Sequence, residues 1–354
     1  MKAITATPGS KNSVRLSEVD TPKPKSSEVL LRVLRLGIDG TDRDINAGFY
    51  GAPPEGSDFL VVGHEALCQI ESMGSGVTGF SQGDLVVPTV RRSCPENCVN
   101  CRNGESDMCL TGHYFEHGIY KLHGFASEWA VTDANYLVKI PRELSDVAVL
   151  LEPMSIVEKA LHQVYTIQGR MVWEPKVALV LGAGPIGQLG TLLLRLKGLE
   201  VFTMARRPAD DSKARLVEAS GAKYVNATET SLENLGKSFD IIIEGTGSSS
   251  VAIDAVRHLA TNGVLCYLGV YGPGQLSLEA GSLLREMVLR NKLMFGSVNA
   301  NRRYFEMGLK DFQEIKRKFG NLLSRFFTAV LRPEDFGKAF QPGADDIKTV
   351  IDFA

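Results

Sequence analysis

One short run limits what this chain can become: Gly182-Ala183-Gly184-Pro185-Ile186-Gly187, placed between an apolar stretch at 176–181 and a helical pattern from 185 to about 198. In that strand-turn-helix setting Gly182 permits a tight turn, Gly184 lets the backbone approach a pyrophosphate, and Gly187 allows helix and strand to pack closely. The free N–H groups of the helix N-terminus then face the phosphates, and Pro185 stands where a missing N–H costs little. Apolar runs at 200–204, 239–244 and 264–270 alternate with helical stretches such as 251–259, which predicts an α/β fold built on a doubly wound parallel sheet. Thr246, Leu268, Val270 and Val298 fall at the carboxyl ends of these strands, where such a fold places a nicotinamide.

The end of the second strand selects the nucleotide. An NAD site usually carries an acid there to hold the ribose hydroxyls. This chain has Thr203-Met204-Ala205-Arg206-Arg207, with no carboxylate to repel a 2′-phosphate and two guanidiniums to pair with it, so NADP is favoured and NAD is the alternative.

With 354 residues, and about 150 per domain, two domains are expected. Before residue 160 the pattern is one of short strands broken by Gly and Pro, read as an all-β lobe, and a helix pattern from about 305 precedes a terminal strand at 347–353. A net charge of -2 provides no field for holding a polyanion, which argues against nucleic acid. No run approaches the roughly 20 apolar residues of a membrane helix, and no leader-like segment follows Met1, so a cytoplasmic protein with a small-molecule substrate is expected.

Four of the six cysteines, Cys94, Cys98, Cys101 and Cys109, fall within one stretch rich in turn residues. In a reducing compartment their spacing lets one loop fold its thiolates around a tetrahedral ion, with zinc the default. Three further segments carry candidate ligands: Gly37-Ile38-Asp39-Gly40-Thr41-Asp42, Gly63-His64-Glu65 and Leu151-Glu152-Pro153.

G-H-E at 63–65, the cysteine loop and the Gly182 fingerprint occur in the order seen in zinc-dependent medium-chain alcohol and polyol dehydrogenases, and the chain resembles that family over nearly its whole length. Within it, the 37–42 segment, the blocks at 59–66, 90–92, 116–119, 123–125 and 136–141, and Gly296-Ser297-Val298-Asn299 are most similar to archaeal glucose dehydrogenases. The resemblance implies a GroES-like catalytic domain at 1–165 and 305–354 and a Rossmann NADP-binding domain at 166–304. It implies a catalytic zinc held by Asp39, His64 and Glu152, with Glu65 as ligand or neighbour, and a structural zinc on the four cysteines. Most of the wider family has Cys where Asp39 stands, and the harder oxygen donor brings magnesium or manganese within reach. Three carboxylates on a dication would leave the site negative and blunt its Lewis acidity, so one glutamate is expected to move off the metal when water or substrate binds.

The implied activity is that of a glucose 1-dehydrogenase, moving hydride from the anomeric carbon of D-glucose or a related aldose to NADP and leaving the aldonolactone. Thr41 is placed to pass on the hydroxyl proton, with Glu65 or Asp44 completing a relay. Thr41, Glu65, Glu116, Glu152 and Asn299 are the expected sugar contacts, with Arg91 and His117 nearby and Asn299 also beside the cofactor. A homodimer or homotetramer built through the nucleotide-domain sheet is expected. The alternatives are a polyol or simple alcohol dehydrogenase of the same mechanism, and a catalytically silent nucleotide-binding zinc protein.

Overall fold

Alternating apolar residues make Glu28–Ile38 the organising strand of the first half of the chain: Val29, Leu31 and Val33 are buried, with more open residues between them. The computed structural model describes residues 1–354. They divide into two units, one of 1–155 with 299–312 and 326–354, the other of 156–298 with 313–325. The chain therefore leaves the first unit inside the helix Leu151–Gln168 instead of at 165, and returns at 299 instead of 305. A second helix, Arg302–Phe319, likewise passes from one unit to the other. Neither helix is broken where the units change, so no turn residue marks the change in the sequence.

In the first unit Glu28–Ile38 pairs antiparallel with Glu65–Met73 along its length, with Trp129–Asp133 on its first half and with Lys348–Asp352 on its second. Leu85–Pro88 and Leu137–Lys139 extend this seven-stranded sheet on one side and Phe327–Leu331 on the other. The register sets Gly37 opposite Glu65 and Ile38 opposite Thr349, which gathers the ends of three strands at one corner. Around Leu31, Leu36, Val62 and Phe125 these strands close a single apolar core. The lobe is not all-β. Directly after the corner comes the helix Gly40–Asn46, with Asp39 as its N-cap and Asp42 completing a reciprocal capping box; a run read as a turn is a helix start.

The second unit is a six-stranded parallel sheet of Val177–Leu181, Glu200–Ala205, Lys223–Asn226, Phe239–Glu244, Leu259–Tyr267 and Leu293–Gly296, in spatial order 3-2-1-4-5-6. Near-continuous apolar runs suit strands covered on both faces, and Leu179, Phe202, Ile242 and Leu265 form part of their core. The strand expected at 264–270 begins at Leu259 and ends at Tyr267, beyond which the N–H groups of Leu268 and Gly269 both turn to the Glu244 carbonyl. Strand order reverses between Val177–Leu181 and Phe239–Glu244, so Gly182 and Gly245 stand at the switch point where doubly wound folds bind ligands. No helix is long and apolar enough to cross a membrane.

Close backbone approach positions the His64 segment. A Cβ on Gly124 would meet the Gly63 and Val62 carbonyl oxygens and the Gly118 Cα, none of which is a side-chain end that can swing away. Gly124→Ala should therefore lower stability by about 1–3 kcal/mol, read as a lower denaturant midpoint with unchanged slope; an unshifted midpoint contradicts this packing account.

Candidate active site

The corner made by the three strands gathers charge. Asp39 directly follows the long strand, His64 directly precedes Glu65–Met73 and Glu65 opens it, and ligand atoms of these three residues lie within 4.8 Å of one another. Asp39 is held by the helix it caps: its Oδ1 accepts from Asp42 N–H at 3.1 Å and its Oδ2 from the Thr41 hydroxyl at 3.3 Å. His64 Nε2 is 3.6 Å from Asp39 Oδ2, and its Nδ1 lies 4.0 Å from Asp42 Oδ1. The fully buried Asp42 carboxylate accepts from Gly63 N–H at 3.0 Å and from Asp39 N–H at 3.1 Å. Glu65 Oε2 pairs with the Lys348 ammonium, both side chains being buried. A Cβ at residue 37 would run into that carboxylate and the Lys348 stem, so the ion pair fits there only because Gly37 has no side chain.

Burial disfavours every charge in this corner. It pushes the Asp42 carboxyl up to about 7, with the negative Asp39 adding to the effect. It raises Glu65 against the pull of Lys348. Buried Glu152, at the start of Leu151–Gln168, is pushed up to about 8 by burial, the attraction of His64 being outweighed once Glu65 and Asp39 add their repulsion. At Asp39 burial is overcome by His64, which holds the carboxyl below its ordinary range, and His64 is in turn raised, the two aspartates outweighing burial. Four carboxyl groups thus crowd one imidazole and one ammonium, and a divalent cation supplies the positive charge that would let them ionise together. Carboxylate oxygens with one imidazole nitrogen suit zinc and, more weakly, magnesium or manganese. The structure assembles Asp39, His64 and Glu65 as donors; Glu152 lies outside that group of three but acts on it electrostatically. Thr41 is in place on Asp39, whereas Asp44 is exposed further along the helix.

Cys94, Cys98, Cys101 and Cys109 also bring their sulfurs within 4.8 Å of one another, as free thiols. Backbone N–H groups of Cys98 and Leu110 point at the sulfurs of Cys94 and Cys98 at 3.4 and 3.5 Å. The Leu110 N–H, with further donors, draws the Cys98 thiol down to about 6, while burial pushes Cys101 up to about 12. Four convergent sulfurs on one loop fit a closed tetrahedral zinc site.

Glu116 and Asn299 meet directly: Asn299 Nδ2 donates to Glu116 Oε1 at 2.9 Å, and the buried Arg91 donates to the same oxygen at 2.9 Å. His117 is different. Its Nδ1 donates to the His123 carbonyl at 2.6 Å, its Nε2 is 3.3 Å from the Thr132 hydroxyl, and burial with the nearby Arg92 keeps it neutral. Both ring nitrogens have partners within the fold, so His117 offers no free polar group beside Glu116.

In the second unit Gly182 has φ +102, a value that favours glycine, and a Cβ on Gly187 would fall on the Gly182 carbonyl. Gly184 caps the helix Pro185–Leu196 without any side-chain hydrogen bond, and a Cβ there would meet nothing within 4 Å. The first free N–H groups of that helix, at Ile186 and Gly187, therefore open onto space beside Gly182 and Ala183, as a pyrophosphate cradle requires. Past Ala205, Arg206 is exposed, while Arg207 Nε donates to Asp211 Oδ2 at 2.9 Å. Thr246 N–H donates to Glu244 Oε1 at 2.7 Å, and Val270 and Val298 are exposed at the strand ends with Leu268 half-buried beside them.

Residues 25–142 match the alcohol dehydrogenase GroES-like domain, and residues 145–353 match the glucose dehydrogenase C-terminus. The chain is 49% identical over 353 residues to glucose 1-dehydrogenase 1 of Caldivirga maquilingensis and 47% identical over 352 residues to glucose 1-dehydrogenase of Thermoproteus tenax, each match covering 99% of both chains. It belongs to the glucose dehydrogenase family of zinc-dependent medium-chain dehydrogenases. A solved member, Haloferax mediterranei glucose dehydrogenase in complex with NADP, Zn and gluconolactone, is 37% identical, covers 100% of this chain with 99% of its own, and superimposes with a TM-score of 0.93.

At this corner Asp42 has no role of its own assigned within the candidate segment 37–42, and Lys348 lies outside every candidate segment. Asp42 carried a signal, since an acid three positions after an Asp N-cap is a capping-box spacing. Lys348 carried none: it reaches Glu65 from the last strand of the chain, and only the sheet register brings the two together. Asp42 faces His64 Nδ1, and loss of such a supporting carboxylate typically weakens a metal about 10–100-fold. Asp42→Asn should lose zinc from the His64 site to a competing chelator by that factor and keep the thiolate-held ion; unchanged affinity at both sites would contradict the role given to Asp42.

Proposed function

We propose that this chain is a glucose 1-dehydrogenase that oxidises the anomeric carbon of D-glucose, or a related aldose, with NADP to give the aldonolactone. The observation that carries this reading is the solved relative that matches the whole chain and holds NADP, zinc and the lactone product of this reaction. Asp39, His64 and Glu65 would hold the zinc, with Glu152 as the exchangeable carboxylate; the six residues 182–187, with Ala205, Arg206 and Arg207, would hold the adenosine and phosphates of NADP. Thr246, Leu268, Val270, Val298 and Asn299 would line the nicotinamide end. When bound, the cation lowers the pKa of the sugar hydroxyl and the nicotinamide accepts hydride.

The chain's own residues do the rest. Thr41, whose hydroxyl already donates to Asp39, takes the sugar hydroxyl proton into a short relay that Glu65 can complete. Lys348 holds Glu65 at the strand corner. Glu116, Glu152 and Asn299 read sugar hydroxyls, with the Arg91 guanidinium orienting Glu116. A buried Arg91, Glu116 and Asn299 trio is a poor lining for an aliphatic alcohol, which places a simple alcohol dehydrogenase second.

Two further parts of the reading concern assembly and location. The last strand of the parallel sheet, Leu293–Gly296, has a neighbour on one side only, and Leu284, Val288, Leu289 and Met294 are exposed on and before it. Pairing of this edge with a second copy, as a dimer or within a tetramer, would cover that apolar surface. Unpaired cysteines arranged as a thiolate site fit a reducing, cytoplasmic setting.

Initial rates of reduced-nucleotide formation over a panel of aldoses, polyols and alcohols, with NADP and NAD in parallel, test the reading. Glucose with NADP should turn over fastest, and nucleotide binding without turnover of any of them would contradict the assignment. Arg206→Ala should cut kcat/KM for NADP by about tenfold to a hundredfold, the scale of one charge-assisted hydrogen bond, and leave NAD unaffected. Equal losses with both nucleotides would refute the 2′-phosphate role of Arg206.

A further inference from the structure

The four-cysteine loop and the sugar contacts are joined by one buried polar network. Asp107 lies within that loop, in the short turn Ser106–Met108. Its carbonyl accepts from Arg91 Nη1 at 3.2 Å, and its Oδ1 accepts from Asn301 Nδ2 at 2.8 Å. Arg91 passes on to Glu116, which also receives Asn299, two residues before Asn301. Ser106 adds a hydroxyl bond to the Arg91 carbonyl at 3.4 Å, and the Arg91 guanidinium stacks 3.7 Å over the Tyr114 ring. Arg91, Asp107, Glu116, Asn299 and Asn301 are all buried.

We propose that the Asp107 side chain is a positioning group for sugar binding, holding Asn299 in place through Asn301, while the backbone carbonyl of the same residue steadies Arg91 and so Glu116, so that the ion on the four cysteines shapes the pocket as well as the fold. This rests on the reading of Glu116 and Asn299 as sugar contacts. Asn299 has φ +58, a left-handed conformation that asparagine tolerates better than most side chains. Its amide is held at both ends, Nδ2 by Glu116 and Oδ1 by the Ala300 N–H at 2.8 Å, and Asn301 anchors the segment that follows. A buried network of this kind responds as a unit, because each unpaired member is costly away from water. Anything that loosens the cysteine loop therefore loosens Glu116 and Asn299. By linkage the converse holds: sugar bound at Glu116 and Asn299 tightens the loop's hold on its ion.

The test uses holoenzyme of wild type, Asp107→Ala and Asp107→Asn. Asp107→Ala leaves the Asn301 amide unpaired and should raise KM for D-glucose about tenfold or more while kcat stays within about threefold and NADP affinity by fluorescence titration is unchanged. Asp107→Asn, which keeps an oxygen for Asn301, should bring KM back to within about threefold of wild type. In wild type, saturating D-glucose should slow transfer of the thiolate-held zinc to a chromophoric chelator about fivefold, and in Asp107→Ala it should not. An unchanged KM in Asp107→Ala, or a loss confined to kcat that follows a lower melting temperature, overturns the positioning role and reduces Asp107 to a fold residue. If wild type turns over no aldose, the functional reading itself fails, and this inference with it; that outcome is distinct from wild-type behaviour of Asp107→Ala on glucose, which sinks the inference alone.

Discussion

Crowding of like charge at one sheet corner is the constraint on which the rest of this structure turns. Asp39, Asp42, Glu65 and Glu152 share a space with one imidazole and one ammonium, and burial drives three of the four carboxyls toward the protonated state. A fold does not keep such a set in its interior for stability, since well-packed apolar side chains would serve better. The register puts Glu65 opposite Gly37, the missing side chain of Gly37 admits Lys348, and the capping box aims Asp39 at His64. Each of these local choices makes sense once a divalent cation is the intended occupant.

The second unit meets its ligand by a different physics. There the useful groups are backbone N–H donors at a helix N-terminus, exposed because glycines stand where side chains would intrude. This division explains which parts could be read from the chain alone. The nucleotide turn is a contiguous motif whose meaning is local, so Gly182, Gly184 and Gly187 announce themselves; four cysteines on one loop do the same. The cation corner is assembled from strands far apart in sequence. Asp39 and His64 stand in segments that carry candidate ligands, and the family resemblance joins them into one site, while Lys348 depends wholly on pairing of the last strand with Glu28–Ile38. The helix Leu151–Gln168 lies across the end of the stretch expected to be all-β, and Pro153 falls in its first turn, where a proline costs a helix little.

In the first unit one buried hydrogen-bond network connects Glu116 and Asn299 to the cysteine loop. Glu116 and Asn299 were expected as separate contacts, and the structure shows them sharing one oxygen with Arg91 in a buried network. His117, adjacent in sequence, has both ring nitrogens occupied by the fold. Neighbours in the chain thus enter different hydrogen-bond networks, decided by which strand face and which partner each meets.

The most direct measurement is the rate of NADPH formation from D-glucose by protein stripped of metal with a chelator, then titrated with zinc. The account predicts that turnover vanishes on stripping and returns as zinc refills the Asp39, His64 and Glu65 site. Undiminished turnover by protein shown to be free of metal at that site would contradict it.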